Sequence, residues 1–394
     1  MIPGASPWFP VLHKSPMSMS DPNVSPTGRG LEGVVALDSK ICDIDGGVGR
    51  LVYSGYDIDD LARHTTFEDV VHLLWSGELP TAAERQDLKD QLARTRTLPP
   101  AVVDLIDAAP TTATPMAVLR TAVSALGQLD PEAEDPSAEA NKRKAIRLTA
   151  RMSTVVASIA RTQAGKSPVT PNPELGAAAN FLYMLDGRIP GPQAARIFDA
   201  CLVLHAEHGL NASTFAARVI AATMADMYGA ISGAIAALQG PLHGGANLKV
   251  KLMLDEIRAS GTDPKDFVMA KLAKKERIMG FGHRVYKTVD PRATYLREVL
   301  ADLSAERGDT SWLTLSSTIM DIMGREKKLY PNVDFFSASV YALLDIPGKL
   351  FTPIFAMSRI AGWTAHLLEQ WDGNRLIRPR AAYVGPADRK VAHG

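Results

Sequence analysis

Four short stretches carry side chains suited to proton transfer. In Pro241-Leu242-His243-Gly244-Gly245-Ala246-Asn247 a histidine is followed by two glycines. Such a pair would cost about 2 kcal/mol inside a helix, so the segment reads as a deliberate break. Sixteen uncharged residues, 227–242, precede it, and a new helix is expected near Asn247. His243 therefore stands beside free backbone N–H groups at a helix start, where one ring nitrogen can accept a proton and the other can donate. A plain surface turn is the alternative. In Met279-Gly280-Phe281-Gly282-His283-Arg284-Val285-Tyr286 two glycines expose backbone N–H groups just ahead of His283. The loop lacks the third glycine and the leading strand of a dinucleotide fingerprint. Lys271, Lys274, Lys275 and Arg277 lie upstream, either as a solvated helix face or as a lure for phosphate. In Tyr330-Pro331-Asn332-Val333-Asp334-Phe335-Phe336-Ser337, Asp334 is either a helix N-cap or a carboxylate made basic by its two aromatic neighbours. The fourth stretch, Ala206-Glu207-His208-Gly209-Leu210-Asn211-Ala212-Ser213-Thr214, packs polar groups at a helix break. His205, Glu207 and His208 invite a metal reading, but no third ligand follows at a recognisable spacing.

Two arginines complete the set. Asp290 caps, Pro291 opens a helix, and Arg292 projects from its first turn, where a carboxylate is favoured. Arg359 sits in an otherwise apolar helix that offers it no anion. Loop histidines, a desolvated aspartate and arginines together suit proton abstraction next to a carbonyl. Neutral imidazoles would stabilise the enol and the arginines would hold a dicarboxylate. A metal held by His243, His283 and Asp334 is the competing arrangement, and this chemistry does not require one.

These groups must be held by helices. Thr66, Thr81 with Glu84, Thr114-Pro115, Asp135-Pro136, Asp263-Pro264, Asp290-Pro291 and Thr352-Pro353 all read as helix openings. About fifteen to twenty helices of about 12 residues are expected, with no solenoid repeat. The one β signal is a small hairpin turning at Asp45-Gly46-Gly47. The fold class is all-α. With 394 residues and 46% hydrophobic content the chain has a large core to bury, in more than one domain. The 43 basic and 43 acidic residues balance, so nothing favours nucleic acid or an anionic membrane, and no run is apolar and long enough to span a bilayer. Cys42 and Cys201, far apart, fit reduced core thiols in a cytoplasm. Six prolines in residues 1–30 suggest a mobile tail rather than a signal peptide, with Met17 or Met19 as alternative starts.

On the three motifs around His243, His283 and Asp334, and on the tail Asn374-Arg375-Leu376-Ile377-Arg378-Pro379-Arg380, the chain resembles the citrate synthase family, from about Gly30 to Arg389. The tail resembles that of the shorter bacterial branch, which implies a homodimer. The first 29 residues have no counterpart. The resemblance implies a transferase of the tricarboxylic acid cycle that condenses acetyl-CoA with oxaloacetate through an enol, with acetyl-CoA as substrate and no cofactor. A sibling, 2-methylcitrate synthase, shares the motifs and takes propionyl-CoA, and a non-catalytic acyl-CoA-binding dimer is a remoter reading. By this resemblance His243 bonds the thioester carbonyl, Asp334 removes a methyl proton and His283 protonates the ketone oxygen. His208, Arg292, Arg359 and Arg378 hold oxaloacetate, Arg378 in the partner's site. Arg277, Ile278, Met279, Gly280, Phe281 and Gly282 receive the adenine, with Lys287, Lys327, Lys328 and Asn332 as further CoA contacts. The implied architecture is a large helical domain, 30–243 with 341–394, closed by a small one, 244–340.

Overall fold

The computed structural model describes residues 29–31, 33–386 and 388–391. The tail assigned to residues 1–29, with its possible starts at Met17 and Met19, lies outside them except for Arg29. The described residues before Lys40 contain one short 3-10 turn, Arg29–Leu31. From Lys40 the chain forms one compact unit. Among the described residues it holds sixteen α-helices and one three-stranded antiparallel sheet. That is the all-α architecture with a small hairpin expected from the sequence.

The helices begin largely where small polar residues allow. Thr66 with Asp69, and Thr81 with Glu84, form reciprocal capping boxes for Phe67–Ser76 and Ala82–Thr95. Thr114, Asp263 and Asp290 each cap a helix whose first residue is proline. Two openings differ from expectation. The long helix is Ala138–Thr162 and its cap is Ser137. Asp135 spends its carboxylate on the Ser137 N–H at 2.9 Å, which leaves the serine hydroxyl to reach the helix. Thr352-Pro353 open nothing, because the 3-10 turn Gly348–Leu350 already feeds helix Phe351–Trp371 from Phe351. As expected, a helix starts near Asn247: it begins at Ala246, entered through Gly245 at φ 77°. The hairpin pairs Cys42–Asp45 with Arg50–Tyr53, and Tyr56–Asp57 adds a third short strand.

Helix Phe351–Trp371 is buried along nearly its whole length. It packs on Phe67–Ser76, Ala138–Thr162, Pro192–His205, Ala212–Ala221 and Met227–Gln239. Gly362, in its middle, donates its N–H to Ala206 O at 3.1 Å. A Cβ there would collide with Ala206 and Glu207, so glycine is what lets the helix break carrying His208 cross the central helix. Arg359, one turn earlier on the same helix, is thereby brought beside that break: its Nε donates to His205 O at 2.8 Å. Cys42 and Cys201 are free thiols. No helix among the described residues is long and apolar enough to cross a membrane.

Candidate active site

His243 sits in the turn that follows helix Met227–Gln239. Its Nε2 accepts from the Ser213 N–H at 3.2 Å and lies 2.8 Å from the Ser213 hydroxyl. A backbone N–H can only donate, so Nε2 carries no proton and the ring proton resides on Nδ1. Ser213 is itself fixed. Asn211 caps its helix and accepts the serine hydroxyl at 2.8 Å, and Trp363 Nε1 donates to Ser213 Oγ at 3.1 Å. Burial, helped by the Arg359 cation, lowers the His243 pKa to about 4, so the ring is neutral near pH 7 with Nδ1–H as its donor.

His283 is the mirror case. Its Nδ1 accepts from the backbone N–H groups of Val285, at 3.0 Å, and Tyr286, at 3.2 Å. The proton is thus on Nε2. Burial first, then the Arg292 cation, lowers its pKa to about 4. His208, buried, is also driven well below the ordinary histidine range by burial and by Arg292. The His208 and His283 rings stand 5.1 Å apart at 71°. Tyr286 touches both: its hydroxyl is 3.2 Å from His208 Nε2 and its ring centre 4.7 Å from that of His283. Sequence reasoning gave Tyr286 no role, since nothing in the chain links it to a histidine 78 positions away.

Two segments fifty residues apart are joined by a short backbone ladder. Gly282 N donates to Tyr330 O at 3.1 Å, Asn332 N to Gly280 O at 2.9 Å, and Phe281 pairs with Pro331. The ladder brings the His283 loop to the start of helix Val333–Leu343, which carries Asp334. Asn332, not Asp334, is the N-cap: its Oδ1 accepts the Asp334 N–H at 3.1 Å while its Nδ2 donates to Gly282 O at 3.1 Å. The N-cap alternative for Asp334 is overturned for that reason. Asn332, expected to contact CoA, already commits both ends of its amide to local structure. Among the described residues no hydrogen bond is donated to the Asp334 carboxyl group. Burial lifts its pKa to about 6, with Asp290 pushing the same way and Arg292 and Arg359 opposing.

The arginines differ from one another. Arg292 was expected to be open to a carboxylate, yet it is buried in a two-pronged pair with Asp290, Nε to Oδ1 at 3.0 Å and Nη2 to Oδ2 at 2.8 Å. Asp290 Oδ2 also accepts from Val333 N at 3.2 Å, tying the starts of helices Pro291–Arg307 and Val333–Leu343 together. Arg359 lies over the Phe355 ring at 4.7 Å, and its Nη2 is buried without a partner among the described residues. A buried guanidinium N–H with no acceptor is costly unless a ligand supplies one. Glu207, which sequence reasoning noted only as a metal ligand, is instead bonded to His366 Nε2 at 3.1 Å. His366 Nδ1 in turn accepts from Arg218 Nη1 at 3.0 Å. His205 Nδ1 is spent on Cys201 O at 2.7 Å. The Arg359 cation acts on His243, His208 and Asp334 alike, which places all three within its electrostatic reach.

The remaining expected residues lie around this centre. Ile278 and Gly280 are buried, Met279, Phe281 and Gly282 half-buried, and Arg277, Lys287, Lys327 and Lys328 exposed. Arg378 is exposed in the extended C-terminal segment, and among the described residues no hydrogen bond or ion pair ties it to the site. The arrangement offers two neutral imidazoles, each with a defined N–H, a basic carboxylate and an unsatisfied cation.

The family model "Citrate synthase, C-terminal domain" matches residues 30–380. Citrate synthase 2 of Bacillus subtilis is 51% identical over 364 residues, covering 92% of this chain and 97% of that protein. The crystal structure of citrate synthase from Pyrobaculum aerophilum superposes with a TM-score of 0.87 at 41% identity, over 97% of this chain and 98% of that one. The citrate synthase of the thermophilic archaeon Thermoplasma acidophilum, solved as a ternary complex with carboxymethyl coenzyme A and oxaloacetate, gives a TM-score of 0.86 at 33% identity, over 92% and 97% of the two chains. The site geometry and these likenesses agree, and the chain belongs to the citrate synthase family.

Proposed function

We propose that this chain condenses acetyl-CoA with oxaloacetate and water to give citrate and free CoA. The observation that carries the reading is the pairing of a carboxyl group raised to about 6 with two histidines lowered to about 4, each holding its ring proton on a known nitrogen. Asp334 takes a proton from the acetyl methyl group while His243 Nδ1–H donates to the thioester oxygen, so that an enol forms without a free enolate. The enol carbon attacks the oxaloacetate ketone, and as the thioester carbonyl re-forms the enol proton returns to His243 Nδ1. His283 Nε2–H delivers a proton to that oxygen, and water then cleaves the thioester. Arg359, with its open Nη2, accepts a carboxylate directly, and Arg292 and His208 complete the grip. Acetyl-CoA is a substrate here, and no step calls for a cofactor.

Residues 244–340 act as a small domain that closes on 30–243 and 341–394. Support comes from the start of that segment, which falls beside the left-handed Gly245, φ 77°. The exposed Arg378 serves the site of a second copy in a homodimer. The loop at 277–282, with Lys287, Lys327 and Lys328, receives CoA.

Release of free thiol from acetyl-CoA in the presence of oxaloacetate tests the reading. Acetyl-CoA should exceed propionyl-CoA in kcat/KM by about tenfold or more, the worth of one methylene in a fitted pocket. No thiol release would overturn the proposal, and faster turnover of propionyl-CoA would convert it to 2-methylcitrate synthesis.

A further inference from the structure

We propose that the hairpin turn at residues 45–49 is a positioning device for His283, a strut that holds the imidazole in its working tautomer. The turn is stiff: Asp45 Oδ1 accepts from the N–H groups of Gly47 and Val48 at 2.9 and 3.2 Å, and Gly49 N donates to Asp45 O at 3.0 Å. It lies flush against the backbone at 285–289. Gly46 O accepts from Lys287 N at 2.8 Å, and a Cβ on Gly46 would overlap the Val285 carbonyl. At Gly49, φ 73°, a Cβ would stand 2.7 Å from Val289 O.

The Val285 carbonyl that meets Gly46 belongs to the same planar peptide as the Tyr286 N–H that bonds His283 Nδ1. Pressing on one end of that plane fixes the other. The base of the hairpin is anchored at the second histidine: the buried Tyr53 hydroxyl donates to Glu207 O at 2.8 Å and accepts from Glu207 N at 3.2 Å, next to His208. One small sheet therefore spans from the His208 break to the His283 loop and sets the distance between them.

The inference uses the proposed role of His283 only for its activity readout. Full-length Gly46→Ala, which clashes, and Asp45→Ala, which loosens the turn without a clash, are compared with Asp43→Ala, an exposed strand residue of the same hairpin. Nitrogen-15 histidine spectra, with the His283 signal assigned through His283→Gln, follow the tautomer. Both turn variants should shift His283 from the Nε2–H tautomer toward a mixture with Nδ1–H, because the Tyr286 N–H no longer holds Nδ1 as an acceptor. They should also lower kcat by about tenfold or more, with KM for acetyl-CoA held within about twofold. Asp43→Ala should change neither. If Gly46→Ala does not fold, Asp45→Ala alone decides. A His283 tautomer unchanged from the parent in the folded turn variants overturns the strut. A shifted His283 signal with full turnover upholds the strut and refutes instead the part given to His283 in the reaction.

Discussion

Replacing Asp334 by asparagine should make the protein more stable and nearly inactive. Burial holds this carboxyl group at about 6, about two units above an exposed aspartate. Ionising it in the folded chain therefore costs about 3 kcal/mol more than in the unfolded one. Below about pH 4 both states are protonated and the difference vanishes. Between about pH 4 and pH 6 the folded state keeps a proton that the unfolded state has lost, so stability falls as pH rises. Above about pH 6 the penalty is complete. Asparagine keeps the shape without the charge, so Asp334→Asn should gain up to about 3 kcal/mol at about pH 8 and about half of that at about pH 5. With an unfolding entropy of about 2.1 cal/mol/K per residue over 394 residues, the gain at about pH 8 is about 4 °C in Tm. Condensation should fall by about 10²- to 10⁴-fold with the loss of the base, while oxaloacetate binding persists because Arg359 is untouched. In the parent protein kcat/KM should decline below about pH 6 with the slope of one proton, since His243 and His283, near 4, stay neutral there. Thermal unfolding of both proteins across pH, calorimetric binding of oxaloacetate and thiol release measure each part. A variant less stable than the parent at about pH 8, or one with normal turnover, refutes the desolvated base.

Mixing inactive Arg378→Ala with inactive Asp334→Asn after reversible dissociation should restore activity toward half that of the parent in each mixed dimer, because one of its two sites then carries neither lesion. Persistent inactivity in the mixed dimers would confine Arg378 to its own subunit. Binding of oxaloacetate near pH 6 should take up a proton, seen as a binding enthalpy that changes with the ionisation enthalpy of the buffer. A buffer-independent enthalpy would mean that the dianion does not act on Asp334.

Much of the helix grammar was legible because caps are local. Thr81 and Glu84 meet across a single turn, and a proline at the first helical position needs no partner at all. The opening of Ala138–Thr162 is read two residues early from sequence because Asp135 could equally cap that helix. The choice fell to the backbone, which aims Asp135 at the Ser137 N–H. The entry to Phe351–Trp371 was misread because a preceding 3-10 turn, invisible to capping rules, supplies it. The site divided in the same way. His243 and His283 stood out through their neighbouring glycines. Tyr286, Ser213 and the closed Arg292–Asp290 pair are tertiary facts, made by contacts such as Tyr286 to His208 that no spacing encodes. Asp334 was read either as a cap or as a base, and only the engagement of Asn332 by its N–H decides between them.

The buried Arg292 and Arg359 impose opposite demands on the groups around them. Arg292 and Arg359 favour neutral histidines, which the chemistry needs as N–H donors, but they also favour an ionised, weakly basic aspartate, which it does not need. Three features resolve the conflict. Burial dominates at Asp334 and outweighs both cations. Asp290 absorbs much of the Arg292 charge through its two-pronged pair and itself raises Asp334. Arg359 is left partly uncompensated, with an open Nη2 and only the Glu207 carboxylate acting on it from nearby. A dianion seated on that Nη2 supplies the missing charge, relieves the depression of Asp334 and so strengthens the base once the acceptor ketone is in place. The histidines remain neutral because their shift comes first from burial, which the ligand deepens. With Arg359 as the proposed seat of the acceptor carboxylate, the order of events, acceptor before proton abstraction, would follow from where the unsatisfied cation was left.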